Sequence, residues 1–477
     1  MKNVKSLFTL SFFVLLFSVA CAPQPVRVLV TPTQPEISVT LASPVSEAPT
    51  LTPSDEPTAA DEPVAAAVVG TATPTFMGAL VGASYTPPTT APTAAPTQPA
   101  AETPAVTAGP TTTPLPTLDA SRMGVQLDPN VDNDTWFYLM DRVSQLGVGW
   151  IKIQFNWNFY QPNAADEWSD NMRRIELYLF EANRRGLNVM ISLAKAPNWS
   201  RSNPVDDGPP DDPQVLANFI TFLYSGGPQE YNLMEQVDAI EIWNEPNLIR
   251  EWGGQSMDGA TYMRYFAAAY QAIRAANPTI PIVTAALAPT GDSPDSRDDR
   301  AYLQEMYAAG LGSYHDIYVG AHPFSWGNAP DAVCCNAVEG QGWDDNPRFF
   351  FMDTLNDYRN IMNQNGHSDV QMWLTEFGWA TWERFTSPVP QEWMTYNNEW
   401  QQGQYIIRAF EIGQQRGDIG VMMLWNLNFA NETSVNSSNE LAAYAIMPDI
   451  RIRPAFWMIH DAVRPPEERF NQYDMGS

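Results

Sequence analysis

The sequence predicts an α/β fold, a (β/α)8 TIM barrel, carried behind a Pro/Thr-rich stalk expected to be disordered. Three observations predict it. From residue 123 onward, apolar β-branched runs alternate eight times with amphipathic ones. Two of the apolar runs end in a glutamate beside a residue that stops a strand, Pro246 in one case and Gly378 in the other. Of the 41 prolines of the 477-residue chain, 19 crowd its first quarter, leaving about one barrel's length of foldable sequence behind it.

Taken in order, Met123-Gly124-Val125-Gln126-Leu127 reads as the first strand and 135–146 as its amphipathic helix. The second unit is strand 149–155 with helix 170–185, and the third is strand 187–194 with helix 213–224. Val237-Asp238-Ala239-Ile240 opens a fourth strand that is expected to end at Glu245, with helix 259–276 behind it. Strand 281–287 pairs with helix 300–309, and strand 316–321 with helix 350–363. A seventh strand ends at Glu376 before helix 397–416; strand 420–425 and helix 454–463 close the ring.

Ahead of the barrel, Lys2 and Lys5 precede an apolar run, 7–19, too short for a membrane span. It ends Ser18-Val19-Ala20-Cys21, which resembles a bacterial lipoprotein signal with Cys21 as the lipidated residue, although such signals usually carry leucine where Ser18 stands. The alternative is ordinary cleavage after Ala20-Cys21-Ala22, which leaves Pro23 at the new terminus. Residues 1–20 are thus expected to be a signal peptide, 21–118 a disordered Pro/Thr/Ala-rich linker, and 119–477 the barrel. The linker repeats Ala-Pro-Thr and Thr-Pro-Thr and offers too little apolar surface to offset its chain entropy. The expected location is extracellular, on the cell surface, with the membrane met only through the anchor at Cys21.

Net charge is −28, which argues against nucleic acid and anionic membranes as partners. The chemistry sits at Glu241-Ile242-Trp243-Asn244-Glu245-Pro246-Asn247 and at Gln371-Met372-Trp373-Leu374-Thr375-Glu376-Phe377-Gly378-Trp379. Each stretch places a carboxylate at the carboxyl end of a strand, the end where barrels carry their chemistry. A lone glutamate there could be a loop acid or a helix cap. Two, on separate strands, supply what retaining glycoside hydrolysis needs: one proton donor and one nucleophile.

These motifs resemble the signatures of the clan A glycoside hydrolases. Gly147-Val148-Gly149-Trp150-Ile151-Lys152, Ala196-Pro197-Asn198-Trp199 and Ala286-Leu287-Ala288-Pro289-Thr290-Gly291 are similar to members of families 39 and 5. The resemblance covers 123–463 and implies Glu245 as acid/base, Glu376 as nucleophile, and Asn244 as the contact to the sugar 2-hydroxyl. It implies an indole floor for the reactive sugar at Trp425. Many clan members carry an arginine on strand two beside the nucleophile; Lys152 stands nearby without a fixed register. His322 ends the sixth strand and is expected at the catalytic mouth, its other reading being a loop-stabilising hydrogen bonder. Of the tryptophans that follow strands, Trp199 and Trp326 are expected to stack on glycan, while core packing is the alternative for each.

No metal site or cofactor is expected. Asp128 to Asp134 spaces its oxygens like a calcium loop but lacks the mid-loop glycine and the closing glutamate, and reads as the cap of the first helix through Asp134 or Asn133. The acidic run 292–300 reads as a solvated loop, and His315, His367 and His460 as structural. Cys334-Cys335 is either a disulfide or two free thiols. The expected function is a monomeric, exported retaining glycosidase that acts on an oligo- or polysaccharide with β-linkages. A transglycosylase using the same residues, or a non-catalytic carbohydrate-binding lipoprotein on a barrel, are the alternatives.

Overall fold

The computed structural model describes residues 113–225, 232–335, 344–449, 451–471, 473 and 475. The expected signal peptide, Cys21 and nearly all of the expected linker lie outside the described residues, as does Trp343 in the loop after the sixth strand.

Eight parallel strands form one sheet: β1 (Met123–Gln126), β2 (Trp150–Asn156), β3 (Asn188–Ala194), β4 (Ala239–Ile242), β5 (Ile282–Thr284), β6 (Val319–Ala321), β7 (Met372–Phe377) and β8 (Ile419–Leu424). Their order is β5-β4-β3-β2-β1-β8-β7-β6, and the ends of that row meet through the parallel bridge Val283–Tyr318. Closure depends on a missing side chain: a Cβ at Gly320 would lie 2.4 Å from Thr284 O. The major helices stand where the periodicity puts them, Asn133–Leu146, Asp170–Arg184, Pro213–Ser225, Gly259–Ala276, Asp299–Ala308, Phe351–Gln364, Glu399–Gln415 and Pro454–Ala462.

Three local expectations change. The first helix is capped by Asp132, whose side chain accepts from Thr135 N at 2.8 Å, and not by Asn133 or Asp134. Asp299, in the acidic run, is fully buried against Tyr358 and Arg300, and burial pushes its carboxyl up to about 6. The third concerns where the barrel begins. Leu115 and Leu118 are already buried, Leu118 N donates to Ala462 O, and Arg469 donates to the carbonyls of Leu115 and Pro116. Packing therefore starts several residues before 119, because two leucines among the last prolines are enough to seat the chain on the final helix.

Inside the barrel the end at which the strands begin is apolar, with Trp150, Met190, Val283, Trp373 and Met423 in one cluster. Towards the strands' carboxyl ends the interior turns polar. Lys152, Ser192, Glu241, Thr375 and His322 are all fully buried there. Among the described residues no helix is long and apolar enough to cross a membrane.

Candidate active site

The first carboxylate is set by a short strand followed by a kinked turn. β4 stops at Ile242, three residues earlier than the sequence implies, because Trp243 and Glu245 adopt left-handed backbone angles, φ 78° and 42°. Strain of that kind persists only where the surroundings enforce it. Here the Trp243 indole donates to Glu251 O at 2.9 Å, and Glu245 N donates to Ala286 O at 3.0 Å. Asn247, fully buried, accepts from Ala288 N and donates to Ala288 O and Arg297 O, which clamps the turn to the segment after β5. Tyr262 joins the same two strands, its hydroxyl donating to Ile242 O and accepting from Ala285 N.

The second carboxylate, Glu376, lies within β7 and needs no unusual backbone. Gly378 follows because a Cβ there would stand 2.5 Å from Trp425 O, where β8 ends.

His322 joins the pair. Its Nδ1 lies 3.1 Å from Glu245 Oε1 and 3.9 Å from Glu376 Oε2, and Nε2 lies 3.1 Å from Thr375 Oγ1. A carboxylate only accepts, so Nδ1 carries the proton towards Glu245. One ligand atom from each of Glu245, His322 and Glu376 lies within 4.8 Å of the others. Arg250 Nη2 donates to the other oxygen of Glu245 at 3.0 Å. Lys152 Nζ donates to Glu376 Oε1 at 3.0 Å and to Thr375 O at 3.1 Å, and it stands 3.1 Å from Glu241 Oε2.

These neighbours tune the two acids in opposite directions. Burial would raise the Glu245 carboxyl, but the His322 hydrogen bond and the Arg250 guanidinium outweigh it and hold the group below the ordinary range. Burial raises Glu376, and the charge of Glu245 adds to that rise; Lys152 pulls the other way without reversing it. Burial would likewise lower the Lys152 ammonium, yet Glu241 and Glu376 together raise it. Further out, Glu251 is pushed up to about 7 by burial, against the pull of Lys195 and Arg250.

The remaining expected residues are placed as follows. Asn244 is buried beside Glu245, and its Oδ1 has no protein partner. Trp425, just past β8, belongs to an aromatic cluster with Phe324, Trp382, Trp393 and Tyr444, and its ring tilts against Phe429 at 4.8 Å. Trp326 stacks on Phe349 at 3.9 Å and lies nearly parallel to Trp393 at 5.6 Å. Trp199 donates its indole N–H to Gln161 O and meets Trp157 edge-on. Neither Trp326 nor Trp199 has a hydrogen bond or ring contact to the acid pair among the described residues. Cys334 and Cys335 are joined as a disulfide, with Cys334 N donating to Asp353. His367 meets the Tyr307 hydroxyl, His460 meets Asp461 and His315 meets Asp369, all away from the acid pair.

Lys152, Glu241, Arg250 and Asn247 are the residues that sequence reasoning left without a role. The available signal was parity. Lys152 alternates with the apolar Ile151 and Ile153 and pairs in register with Gln126, so it faces the interior. A hollow of about 370 Å³ opens at the same end of the barrel, lined by Asp128, Gln154, Asn156, Tyr160, Lys195 and Phe429. A larger one, about 460 Å³, lies at the opposite end, where β7 and β8 begin.

Residues 118–405 match the family model described as Cellulase (glycosyl hydrolase family 5). No curated protein matches the chain. Among solved structures, a family 39 glycoside hydrolase from the gut symbiont Bacteroides cellulosilyticus aligns at TM-score 0.52 and 16% identity, over 73% of this chain and 64% of that one. This chain therefore spans less than two thirds of that protein's length. A GH5-4 broad specificity endoglucanase from Clostridium longisporum aligns at TM-score 0.45 and 16% identity, over 72% of this chain and 94% of that one.

Proposed function

The chain belongs to the cellulase family, glycosyl hydrolase family 5, and from that premise we propose that it is a retaining glycosidase that cleaves β-linked glycans by double displacement. The observation that carries the proposal is the pair of buried glutamates with oxygens inside a 4.8 Å group. Retaining enzymes hold their two carboxyl groups about 5–5.5 Å apart, whereas inverting ones need about 6.5–9.5 Å to admit a water.

In this reading Glu376 attacks the anomeric carbon while Glu245 protonates the departing oxygen. Glu245 then takes a proton from the water that releases the glycosyl-enzyme. Asn244, with its unpartnered Oδ1, meets the sugar 2-hydroxyl, and Trp425 floors the reactive ring. The substrate-free directions of the two carboxyls run opposite to these roles, since His322 and Arg250 together lower Glu245 while burial raises Glu376. Weakening of the Arg250 contact by bound substrate would raise Glu245 towards its acid role. At 25% exposure, the Arg250 side chain can be moved from above.

The family description makes β-glucan the first polysaccharide to try. Glu376→Ala is expected to abolish turnover, and added azide to restore part of it as a glycosyl azide of inverted configuration. Near-wild-type hydrolysis by that variant would remove Glu376 from the nucleophile role. Glu245→Ala should retain far more activity on substrates with good leaving groups than on natural glycans, since only the latter need the proton. Equal losses on both would argue against Glu245 as the acid.

The enzyme is further proposed to work at the cell surface, tethered through lipid on Cys21 and the proline-rich segment that follows it. Mass spectrometry of the mature N-terminal peptide tests this: a diacylglycerol adduct on Cys21 is the expected result, and an unmodified N-terminus at Pro23 refutes it.

A further inference from the structure

Beneath the acid pair the barrel holds a charge that the double displacement does not use. Glu241 is four residues before Glu245, fully buried, and its Oε2 stands 3.1 Å from Lys152 Nζ. Neither of its oxygens has a well-directed hydrogen bond. Lys152 reaches across from β2 to β4 on one side and β7 on the other, and these are not neighbouring strands, so the contact spans the barrel interior. Ser192 is the register partner of both Gln154 and Glu241, so all three face inward together. Ser192 Oγ and Gln154 Nε2 are buried without partners, as are both polar atoms of Gln126 beside Lys152.

A buried carboxylate without directed donors is costly, and apolar residues of the same volume often serve stability better. Its position explains its presence. The Lys152 ammonium donates to Thr375 O and Glu376, while Glu241 stands beside it as an ion-pair partner. One positive charge serves two carboxylates. If Glu376 had the ammonium to itself it would be a more stable anion and a weaker nucleophile, because stabilisation of the ground state that is lost on attack slows the reaction.

We propose that Glu241 is a positioning residue for Glu376: it holds Lys152 upright under the nucleophile and shares its charge, so that Glu376 remains reactive. The inference rests on the reading of Glu376 as the nucleophile. The charged and titratable groups that face Glu376 are Lys152 from β2, Glu241 from β4, Glu245 with its partner Arg250 from the turn after β4, His322 after β6, and Tyr444 from the turn Glu440–Tyr444. Only Glu241 acts on it through Lys152 alone.

Glu241→Gln keeps the volume and removes the charge. The limb of kcat/KM that reports the free nucleophile losing its proton, the upper one because Glu376 is raised and Glu245 lowered, should move to lower pH by about one unit. Formation of the glycosyl-enzyme, measured in a single turnover, should slow by roughly tenfold. The melting temperature should stay level or rise, since an excess buried charge is gone. A merely structural role predicts the reverse: a lower melting temperature with that limb unmoved. Glu241→Asp retains the charge at a longer reach and should shift the limb in the same direction by less; it decides the matter if the glutamine variant does not fold. An unmoved limb in the variants that fold overturns the inference. Failure of the underlying reading is distinguishable, because it appears as an active Glu376→Ala enzyme whatever Glu241 does.

Discussion

Glu376 is held from inside the barrel by a lysine with 0% exposure, while Glu245 is held from the loops above by an arginine that is 25% exposed. The inner partner is fixed by strands; the outer one hangs on a turn that begins with two left-handed residues. The contrast has an energetic side. A buried ion pair is costly to break, whereas a partly exposed one contributes little to stability and can be exchanged. The proposed nucleophile thus has a permanent environment, and the proposed acid has one that substrate can rewrite. The walls of the site follow the same division. Beyond β6, β7 and β8 stand Phe324, Trp382, Trp393 and Trp425, while beyond β3 and β4 stand Lys195, Asp207, Arg250 and Glu251.

The inner side can be broken most severely. Lys152→Met leaves Glu241 and Glu376 buried without their cation, so unfolding free energy should fall by about 3–5 kcal/mol, measured by urea denaturation at pH 7. A smaller loss would show that the carboxylates neutralise themselves, and the limb of activity that reports Glu376 should then move upward instead.

Glu251 tests the outer wall through pH. Its carboxyl is raised from 4.5 to about 7, so the folded state binds the proton more tightly than the unfolded chain does. The stability this contributes is fully present below about pH 4.5 and is lost as the pH rises through about 7. Glu251→Gln should abolish that decline, which is on the order of 3 kcal/mol. Thermal melts at pH 5 and pH 8 measure it; an unchanged slope would mean that Lys195 and Arg250 compensate Glu251 fully.

The gentlest change should separate stability from chemistry. Arg250→Ala removes a group that lowers Glu245, so the limb of kcat/KM that reports Glu245 should move to higher pH by about one unit. Stability should change by under about 1 kcal/mol. A Glu245 limb that stays in place would show that His322 alone sets its proton affinity.

Much of this architecture was legible in the chain. The eight strand–helix alternations needed only local periodicity, and every major helix lies within two residues of its expected bounds. The strand-end glutamates were marked by Pro246 and Gly378, both of which act on their immediate neighbours. Less legible were the exact end of β4, which depends on the left-handed Trp243 and Glu245, and the helix cap, which fell to Asp132 rather than to the residues after it. Trp199 and Trp326 show the limit for aromatics. A tryptophan after a strand fits a sugar or a core equally well, because each takes a flat apolar ring face.

By itself the sequence determined the barrel, its eight units and the two carboxylates at one end of it, because periodicity and strand termination act over a few residues. Only the tertiary structure decided which charges meet. Lys152 and Glu376 are 224 residues apart, and His322 and Glu245 are 77 apart. Their contacts exist because closing eight strands at one register turns particular side chains into a shared, water-poor interior. There a pairing that would mean little in an open chain fixes the protonation of each acid.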